Sequence, residues 1–180
     1  FWIGHSRAKL IHEQMDELLI YPQCQRMPNL AVIGETNSGK SLLLKRFYDR
    51  HVPPVDPDAE RTVLPVFMIE VPAEPDEGRL YGEMLEALFS EGSVREPVEA
   101  KVRRIQHLLR TLETRMIILD EFQNALAGNF IKTRKFLNGI KYLGNKLQIP
   151  IVVAGTMETL NVLKADPQIA NRFPPAIIPK

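Results

Sequence analysis

The sequence lacks several features that would each point to a particular class of protein. Cys24 is the only cysteine, so no disulfide can form within the chain, which is typical of proteins in the reducing cytosol. No apolar run approaches the roughly 20 residues that a membrane-spanning helix needs, and no segment resembles a signal peptide. The net charge is only +1, which excludes a general electrostatic attraction to nucleic acid. We therefore expect a cytoplasmic protein that has no membrane partner and whose basic surfaces are local.

Histidine is also scarce. The four residues, His5, His12, His51 and His107, are too far apart in the sequence to indicate a metal site. With 180 residues, 44% of them hydrophobic, the chain is long enough for one domain with a substantial core. Because it begins at Phe1 rather than Met and stops at "AIIPK", we expect it to be the core of a longer protein.

Apolar runs of strand length alternate with segments of helical periodicity along the chain. The runs "LAVIG", "VFMIEV", "MIILDE" and "PIVVAGT" predict four buried strands, and "AIIP" near the C terminus is a candidate fifth. Helices are expected between them, including one over residues 97–113 and one from about residue 132 to 147. Strands that alternate with helices form a parallel sheet covered on both faces, so the sequence predicts an α/β fold.

A glycine-rich segment, "GETNSGKS", lies between the first predicted strand and a helix expected over residues 39–50. Its spacing, G-x-x-x-x-G-K-S, is that of the phosphate-binding loop or Walker A motif, in which Lys40 reaches the β- and γ-phosphates and the Ser41 hydroxyl ligates Mg²⁺. The glycines let backbone N–H groups converge on an anion, and the following helix adds the positive end of its dipole. The predicted nucleotide-binding residues are Gly34, Glu35, Thr36, Asn37, Ser38, Gly39, Lys40, Ser41 and Leu42.

Two acidic residues follow the third predicted strand, at the edge where ligands of open α/β sheets bind. Asp120 would hold Mg²⁺ through its water shell, which is the Walker B role, and Glu121 would accept a proton from the attacking water. Two acids at a strand end are by themselves more often solvated or part of a helix cap. Beside a phosphate-binding loop, they favour the metal and the base of a nucleotide site.

The residues that follow these motifs separate ATPases from other nucleotide enzymes. A GTPase would carry D-x-x-G after the third strand and N-K-x-D for guanine, whereas this chain has "DEFQ" and "NKLQ". A small-molecule kinase needs no water-activating glutamate. We therefore expect ATP hydrolysis.

Two further residues have alternative interpretations. Thr156 ends the fourth predicted strand, where its hydroxyl would sense the γ-phosphate or the attacking water as sensor 1, or would cap the helix "METLNVL". Arg172 ends a short predicted helix before the last strand, where it would act as an arginine finger on a neighbouring subunit or interact with the helix dipole. The spacing alone does not choose between these roles.

Together these residues make the sequence similar to the TniB/TnsC family of transposition-associated AAA+ ATPases, and closest to TniB. The resemblance covers nearly all 180 residues. It rests on "WIGHSRA", "RMPNLAVIGETNSGKS", "VPAEPDEGRLYGEMLEAL", "RMIILDEFQNALAG", "FLNGIKYLGNKLQIPIVVAGT" and "DPQIANRF". One departure is Gln123, where relatives often carry His, and it argues against a role of this side chain in transmitting the nucleotide state.

The resemblance implies a P-loop NTPase of the AAA+ type, with a parallel five-stranded sheet in the order 5-1-4-3-2 and a helical lid that is absent or truncated. It assigns residues 29–180 to the ATPase core and residues 1–28 to an N-terminal segment and helix near the nucleotide, with Trp2 and His5 closing over the adenine. It also favours Thr156 as sensor 1 and Arg172 as the intersubunit finger.

The resemblance further implies an ATP- and Mg²⁺-dependent regulator of transposition. Such proteins assemble on duplex DNA as helical filaments or rings and recruit a DDE transposase, often with a TniQ-type adaptor, and hydrolysis resets the assembly. On the helix over residues 97–113, Lys101, Arg103 and Arg104 are the first candidates for a DNA-contacting strip, and Lys132, Arg134 and Lys135 are the second. The alternative is a STAND-like signalling or scaffold NTPase, whose nucleotide switches a protein–protein surface.

Overall fold

A computed structural model describes residues 6–54, 56, 58, 62–88 and 96–179 of the chain. The strands within this part are β1 Leu30–Ile33, β2 Val66–Glu70, β3 Met116–Asp120, β4 Ile151–Gly155 and β5 Pro175–Ile177. The α-helices are α1 Ser6–Leu19, α2 Lys40–His51, α3 Glu77–Ala87, α4 Val98–Thr111, α5 Phe130–Leu147, α6 Met157–Ala165 and α7 Pro167–Ala170. A 3₁₀ helix, Phe122–Leu126, follows β3. None of the described helices combines the length and apolar character that crossing a bilayer requires.

The strands form one parallel sheet in the order β2-β3-β4-β1-β5, which confirms the predicted order read from the opposite edge. β4 therefore lies between β1, which leads into the glycine-rich loop, and β3, which ends at Asp120. Since parallel strands share their carboxyl edge, the segments that follow β1, β3 and β4 meet at one side of the sheet.

Both faces of the sheet are buried, which explains the continuous apolar runs in the sequence. One face carries Val32 and Ile118 and packs against α1 and α2 through residues such as Phe47. The opposite face carries Ile117 and Val153 and packs against α3, α4, α5, α6 and α7. Because successive strand residues point to opposite faces, Asp120 lies on the same face as Ile118, beside the helix that follows the glycine-rich loop.

The N-terminal helix α1 is anchored to α2 by polar contacts at two places. The Asp16 carboxylate pairs with Arg50 at 2.7 Å and with His51 at 3.0 Å, and the His12 ring lies 2.9 Å from the carbonyl oxygen of Leu43. This contact places α1 against the helix of the predicted nucleotide site. Trp2 and His5 lie outside the described residues, so their contact with adenine stays a prediction.

Two helix boundaries differ from the sequence prediction for local reasons. Helix α5 begins at Phe130 rather than near Lys132, because the Asn129 side chain accepts a hydrogen bond from the Lys132 backbone N–H at 2.9 Å and caps the helix. Helix α7 ends at Ala170, so Arg172 lies in the turn before β5 rather than at the end of the helix.

Candidate nucleotide site

The glycine-rich loop depends on a left-handed backbone just before α2. Asn37 has a φ of 63° and Gly39 a φ of 84°, and both values lie in the region that most L-residues avoid. A Cβ built on Gly39 would have no heavy atom within 4 Å, so glycine is needed there for its backbone conformation rather than for lack of space. Turns of this kind direct successive N–H groups into an anion-binding concavity.

Gly34, at the start of the loop, is required for a different reason. A Cβ at this position would lie 2.5 Å from Ser38 Oγ and 3.2 Å from the Ile178 Cβ. The Gly34 N–H also donates to the carbonyl oxygen of Gly155 at 3.1 Å, which ties the loop to the end of β4. The loop therefore folds tightly over its own first residue.

Lys40 is buried at the base of this loop, with 6% of its surface exposed. Its ammonium group donates to the carbonyl oxygens of Gly34 at 2.9 Å and Glu35 at 2.7 Å. An ammonium has three donors, so these bonds hold the charge inside the loop and leave one hydrogen for an anion. A buried cation among backbone amides is the arrangement that binds phosphate.

The acidic pair lies at the end of β3, near this loop. Asp120 is 2% exposed, and its Oδ1 accepts a hydrogen bond from the Glu121 backbone N–H at 2.8 Å. Glu121 has a φ of 53°, so the chain turns sharply at the residue that follows the strand. A cleft of about 320 Å³ brings Glu121 together with the loop; it is lined by Thr36, Asn37, Gly39, Lys40, Ser41, Leu42, Glu121 and Gln123.

Thr156 follows β4 and is at the N-cap position of α6, but its side chain makes no capping hydrogen bond. Its Oγ1 is buried and has no partner. The capping role that the sequence left open for this hydroxyl is therefore absent. Since β4 lies between β1 and β3, the hydroxyl lies between the glycine-rich loop and the acidic pair.

Six buried side-chain polar atoms of the described residues have no hydrogen-bond partner, and three of them belong to the segments that form this site; the others are Thr114 Oγ1, Thr159 Oγ1 and Arg172 Nε. The three at the site are Ser38 Oγ, Gln123 Oε1 and Thr156 Oγ1. Buried polar atoms are nearly always paired in folded proteins, so unpaired ones in the loop and after β3 and β4 are consistent with a polar ligand at this side of the sheet. The residues present therefore fit a nucleotide and its Mg²⁺, with Ser41 and Asp120 available as the metal-binding oxygens.

Arg172 lies near the amino ends of the strands, on the side of the sheet away from the glycine-rich loop. Its Nη1 donates to Asn145 Oδ1 at 2.8 Å, beside Asn29, whose side chain accepts from the Ile151 N–H at the start of β4. Strands of four to five residues span roughly 15 Å, so Arg172 is far from the phosphate-binding loop of its own chain. Burial, and then the charge of Arg26, lower the pKa of the Arg172 guanidinium. The structure does not bring this residue to the site formed by the other predicted residues.

Gln123 is the residue that the sequence did not assign to the site. Its Nε2 donates a hydrogen bond to Glu121 Oε2, and its side chain lines the cleft. The departure from histidine argued against a role in nucleotide sensing, but the structure puts the amide in direct contact with the predicted base. The only signal in the sequence was a polar residue two positions after Glu121, because the turn that joins the two side chains is visible only in the structure.

Lys101 on α4 was a candidate for the DNA-contacting strip, which requires an outward-facing side chain, and the structure shows that this orientation is wrong. Lys101 is 7% exposed, and its Nζ donates to the carbonyl oxygen of Gly78 on α3 at 3.0 Å. Gly78 and Gly82 lie one turn apart on α3, and a Cβ on Gly82 would lie 3.7 Å from this Nζ. The lysine is therefore buried between α3 and α4 and held there by a backbone carbonyl of α3.

The other two residues of that candidate strip differ in their surroundings. Arg103 is exposed, whereas Arg104 is partly buried and pairs with Glu96 at 2.8 Å. The second candidates, Lys132, Arg134 and Lys135, are all exposed in the first turns of α5. Whether any of these residues contacts DNA stays a prediction.

The sheet order, the loop after β1 and the acidic pair after β3 define a P-loop fold of the AAA+ type. The ORC2 protein of Aeropyrum pernix, solved as ADPNP–ADP complexes, matches with a TM-score of 0.69 at 16% identity, over 99% of this chain and 48% of that one. The ORC1 protein of the same organism, in complex with DNA, matches with a TM-score of 0.62 at 18% identity, over 97% and 44%. AMPPCP-bound DnaA from Aquifex aeolicus matches with a TM-score of 0.52 at 14% identity, over 97% and 48%.

These likenesses show the fold, and this chain spans less than half the length of each of those proteins. A search of curated proteins finds no significant match. The model of the family described as "Bacterial TniB protein" matches residues 1–180. The chain belongs to the TniB family, as the sequence motifs predicted.

Proposed function

We propose that this protein binds ATP with Mg²⁺ in the cleft beside the glycine-rich loop and hydrolyses it. The observation that carries the proposal is the single cleft lined by Lys40, Ser41 and Glu121, next to the buried Asp120. The Lys40 ammonium would bind the β- and γ-phosphates, and the backbone of the loop would bind their remaining oxygens. Ser41 and Asp120 would hold Mg²⁺, which supplies positive charge to the phosphates.

The hydrolytic step is assigned to Glu121. Its carboxylate takes one proton from a water molecule, whose oxygen bonds to the γ-phosphorus while the bond to the β–γ bridging oxygen breaks, giving ADP and phosphate. Thr156 is assigned to sensor 1, since its hydroxyl is buried and unpaired between the loop and the acidic pair. A hydroxyl in this position would hold the water or a γ-phosphate oxygen.

Arg172 is assigned to the site of a neighbouring copy. Arg172 lies on the side of the sheet away from its own loop, where the guanidinium would be available to the nucleotide of a second molecule. A guanidinium supplied in trans stabilises the charge that develops on the γ-phosphate. The catalytic site would then be complete only in an assembly.

We further propose, from the TniB family and its resemblance to TnsC, that the assembly forms on duplex DNA and regulates transposition. Recruitment of a DDE transposase, with a TniQ-type adaptor, and disassembly after hydrolysis belong to the same proposal. The start of α5 is the better candidate for the DNA contact, because Lys132, Arg134 and Lys135 are exposed there without the burial that removes Lys101. Phe130 and Ile131, 75% and 76% exposed, add apolar surface at the same end of the helix.

The test is the rate of ATP hydrolysis with and without duplex DNA, for the wild type and for Glu121→Gln. Glutamine keeps the shape of the side chain but removes the base, so turnover should fall by roughly 100-fold or more while ATP binding survives. DNA should raise the wild-type rate. Hydrolysis that persists in Glu121→Gln would contradict the assignment of the base, and a failure of DNA to bind under any nucleotide would favour the STAND-like signalling alternative.

A further inference from the structure

We propose that Gln123 is a positioning residue that holds the Glu121 carboxylate in its reactive orientation, an inference that rests on the proposed hydrolysis of ATP. The Gln123 amide N–H donates to Glu121 Oε2, and both side chains line the cleft that contains Lys40. The other end of the amide, Oε1, is buried without a hydrogen-bond partner. The amide therefore sits in this place through its bond to the glutamate and not through a second polar contact.

The backbone that carries this pair is fixed by the core. The 3₁₀ helix begins at Phe122, which is 1% exposed and whose ring centroid lies 6.0 Å from that of Phe136 on α5. The next-but-one residue, Asn124, donates its side-chain amide to the carbonyl oxygen of Val71, just after β2, at 2.9 Å. Both ends of the turn around Gln123 are thus attached to buried elements, so its amide is presented to Glu121 by a rigid support.

A glutamate side chain without such a partner samples several rotamers, and only some of them direct the carboxylate into the cleft. One hydrogen bond from a neutral amide restricts that motion without cancelling the negative charge that a base needs. Base catalysis depends on this geometry, because the proton must be within hydrogen-bond reach. Gln123 therefore affects the rate of the chemical step and not the affinity for ATP.

The test compares steady-state ATPase kinetics and ATP-analogue affinity in three variants. Gln123→Ala should lower kcat about tenfold, the loss expected for one hydrogen bond to a charged group, and should change nucleotide affinity by less than about twofold. Gln123→His, whose ring N–H can also donate to the carboxylate, should keep kcat within about threefold of the wild type. Asn124→Ala is the matched comparison: it removes the bond to Val71 that supports the turn but leaves the Gln123 amide in place, so it should lower kcat by less than Gln123→Ala does.

A double-mutant cycle shows whether Gln123 acts through Glu121. In the Glu121→Gln background there is no base to position, so adding Gln123→Ala should leave the single-turnover rate unchanged within about twofold. A loss that persists in that background, an equal loss of kcat in Asn124→Ala, or wild-type kcat in Gln123→Ala would overturn this inference alone. A wild-type protein that hydrolyses no ATP would overturn the proposed function, and this inference with it.

Discussion

Replacing Gly39 with alanine tests whether the glycine-rich loop depends on a left-handed backbone rather than on space. Gly39 has a φ of 84°, and a Cβ at this position would have no heavy atom within 4 Å. The substitution therefore creates no clash. Its cost is the strain of an L-residue in the left-handed region, which is about 1–2 kcal/mol.

This strain reduces either the stability or the ATP affinity, depending on whether the loop of the variant relaxes. A loop that keeps its shape lowers the free energy of unfolding by the full amount and leaves affinity unchanged. A loop that relaxes recovers stability, but ATP must then restore the strained conformation. Both cases share the same end states, the unfolded chain with free ATP and the folded chain with ATP bound. The loss of unfolding free energy and the loss of binding free energy should therefore sum to about 1–2 kcal/mol. If the whole loss falls on binding, ATP affinity drops by up to roughly 30-fold.

Urea unfolding and equilibrium binding of a fluorescent ATP analogue measure the two losses separately. Gly39→Asn is the matched variant, because asparagine adopts the left-handed region more readily than alanine does, and its summed loss should be smaller. A summed loss below about 0.5 kcal/mol in Gly39→Ala, or an equal loss in the two variants, would refute the reasoning.

The other predictions concern the buried cation, the second copy, DNA and pH. Lys40→Ala should abolish tight binding of an ATP analogue, because it removes the charge on the phosphates; unchanged affinity would contradict the site. Arg172→Ala should weaken ATP-dependent assembly and turnover but not nucleotide affinity. Mixing this variant with Lys40→Ala should restore some ATPase activity, because each supplies the residue that the other lacks. A loss of thermal stability without an assembly defect would instead show that Arg172 is structural. The pair Lys132→Glu and Lys135→Glu should weaken duplex binding and flatten its salt dependence in anisotropy titrations, while wild-type affinity would place the contact elsewhere. Burial raises the pKa of the Glu77 carboxyl, so folding is penalised while this group is ionised; Glu77→Gln should therefore raise Tm near neutral pH, and a gain that persisted at about pH 4 would exclude this cause.

The parallel sheet and the glycine-rich loop could be predicted because each depends on residues close together in the sequence. Strands buried on both faces are continuous apolar runs, so β1, β3 and β4 are visible without any knowledge of their neighbours. The loop is defined by eight consecutive residues, and Gly39 has the left-handed backbone that its motif requires. The strand order followed from the family resemblance and not from the strands themselves.

The contacts of individual side chains could not be predicted in the same way. Lys101 follows the helical pattern of an exposed residue, and its burial depends on packing against another helix, where it donates to the Gly78 carbonyl oxygen. The bond between Gln123 and Glu121 depends on the left-handed turn at Glu121, which the sequence pattern does not reveal. In both cases a contact that depends on the three-dimensional arrangement, with a backbone carbonyl for Lys101 and with a side chain for Gln123, decides the role of the residue.

The placement of Arg172 and the low net charge lead to the same requirement for several copies. Arg172 lies at the edge of the sheet opposite to the glycine-rich loop, so the finger and the phosphates that it would contact belong to different molecules. A chain with a net charge of +1 has no general attraction to DNA, and the exposed lysines at the start of α5 would supply only a few phosphate contacts for each subunit. Binding to DNA would then need repeated subunits, and repeated subunits are also what would bring Arg172 to a neighbouring nucleotide. On this reasoning, DNA would stimulate hydrolysis by aligning neighbouring copies, without any contact between DNA and the nucleotide cleft.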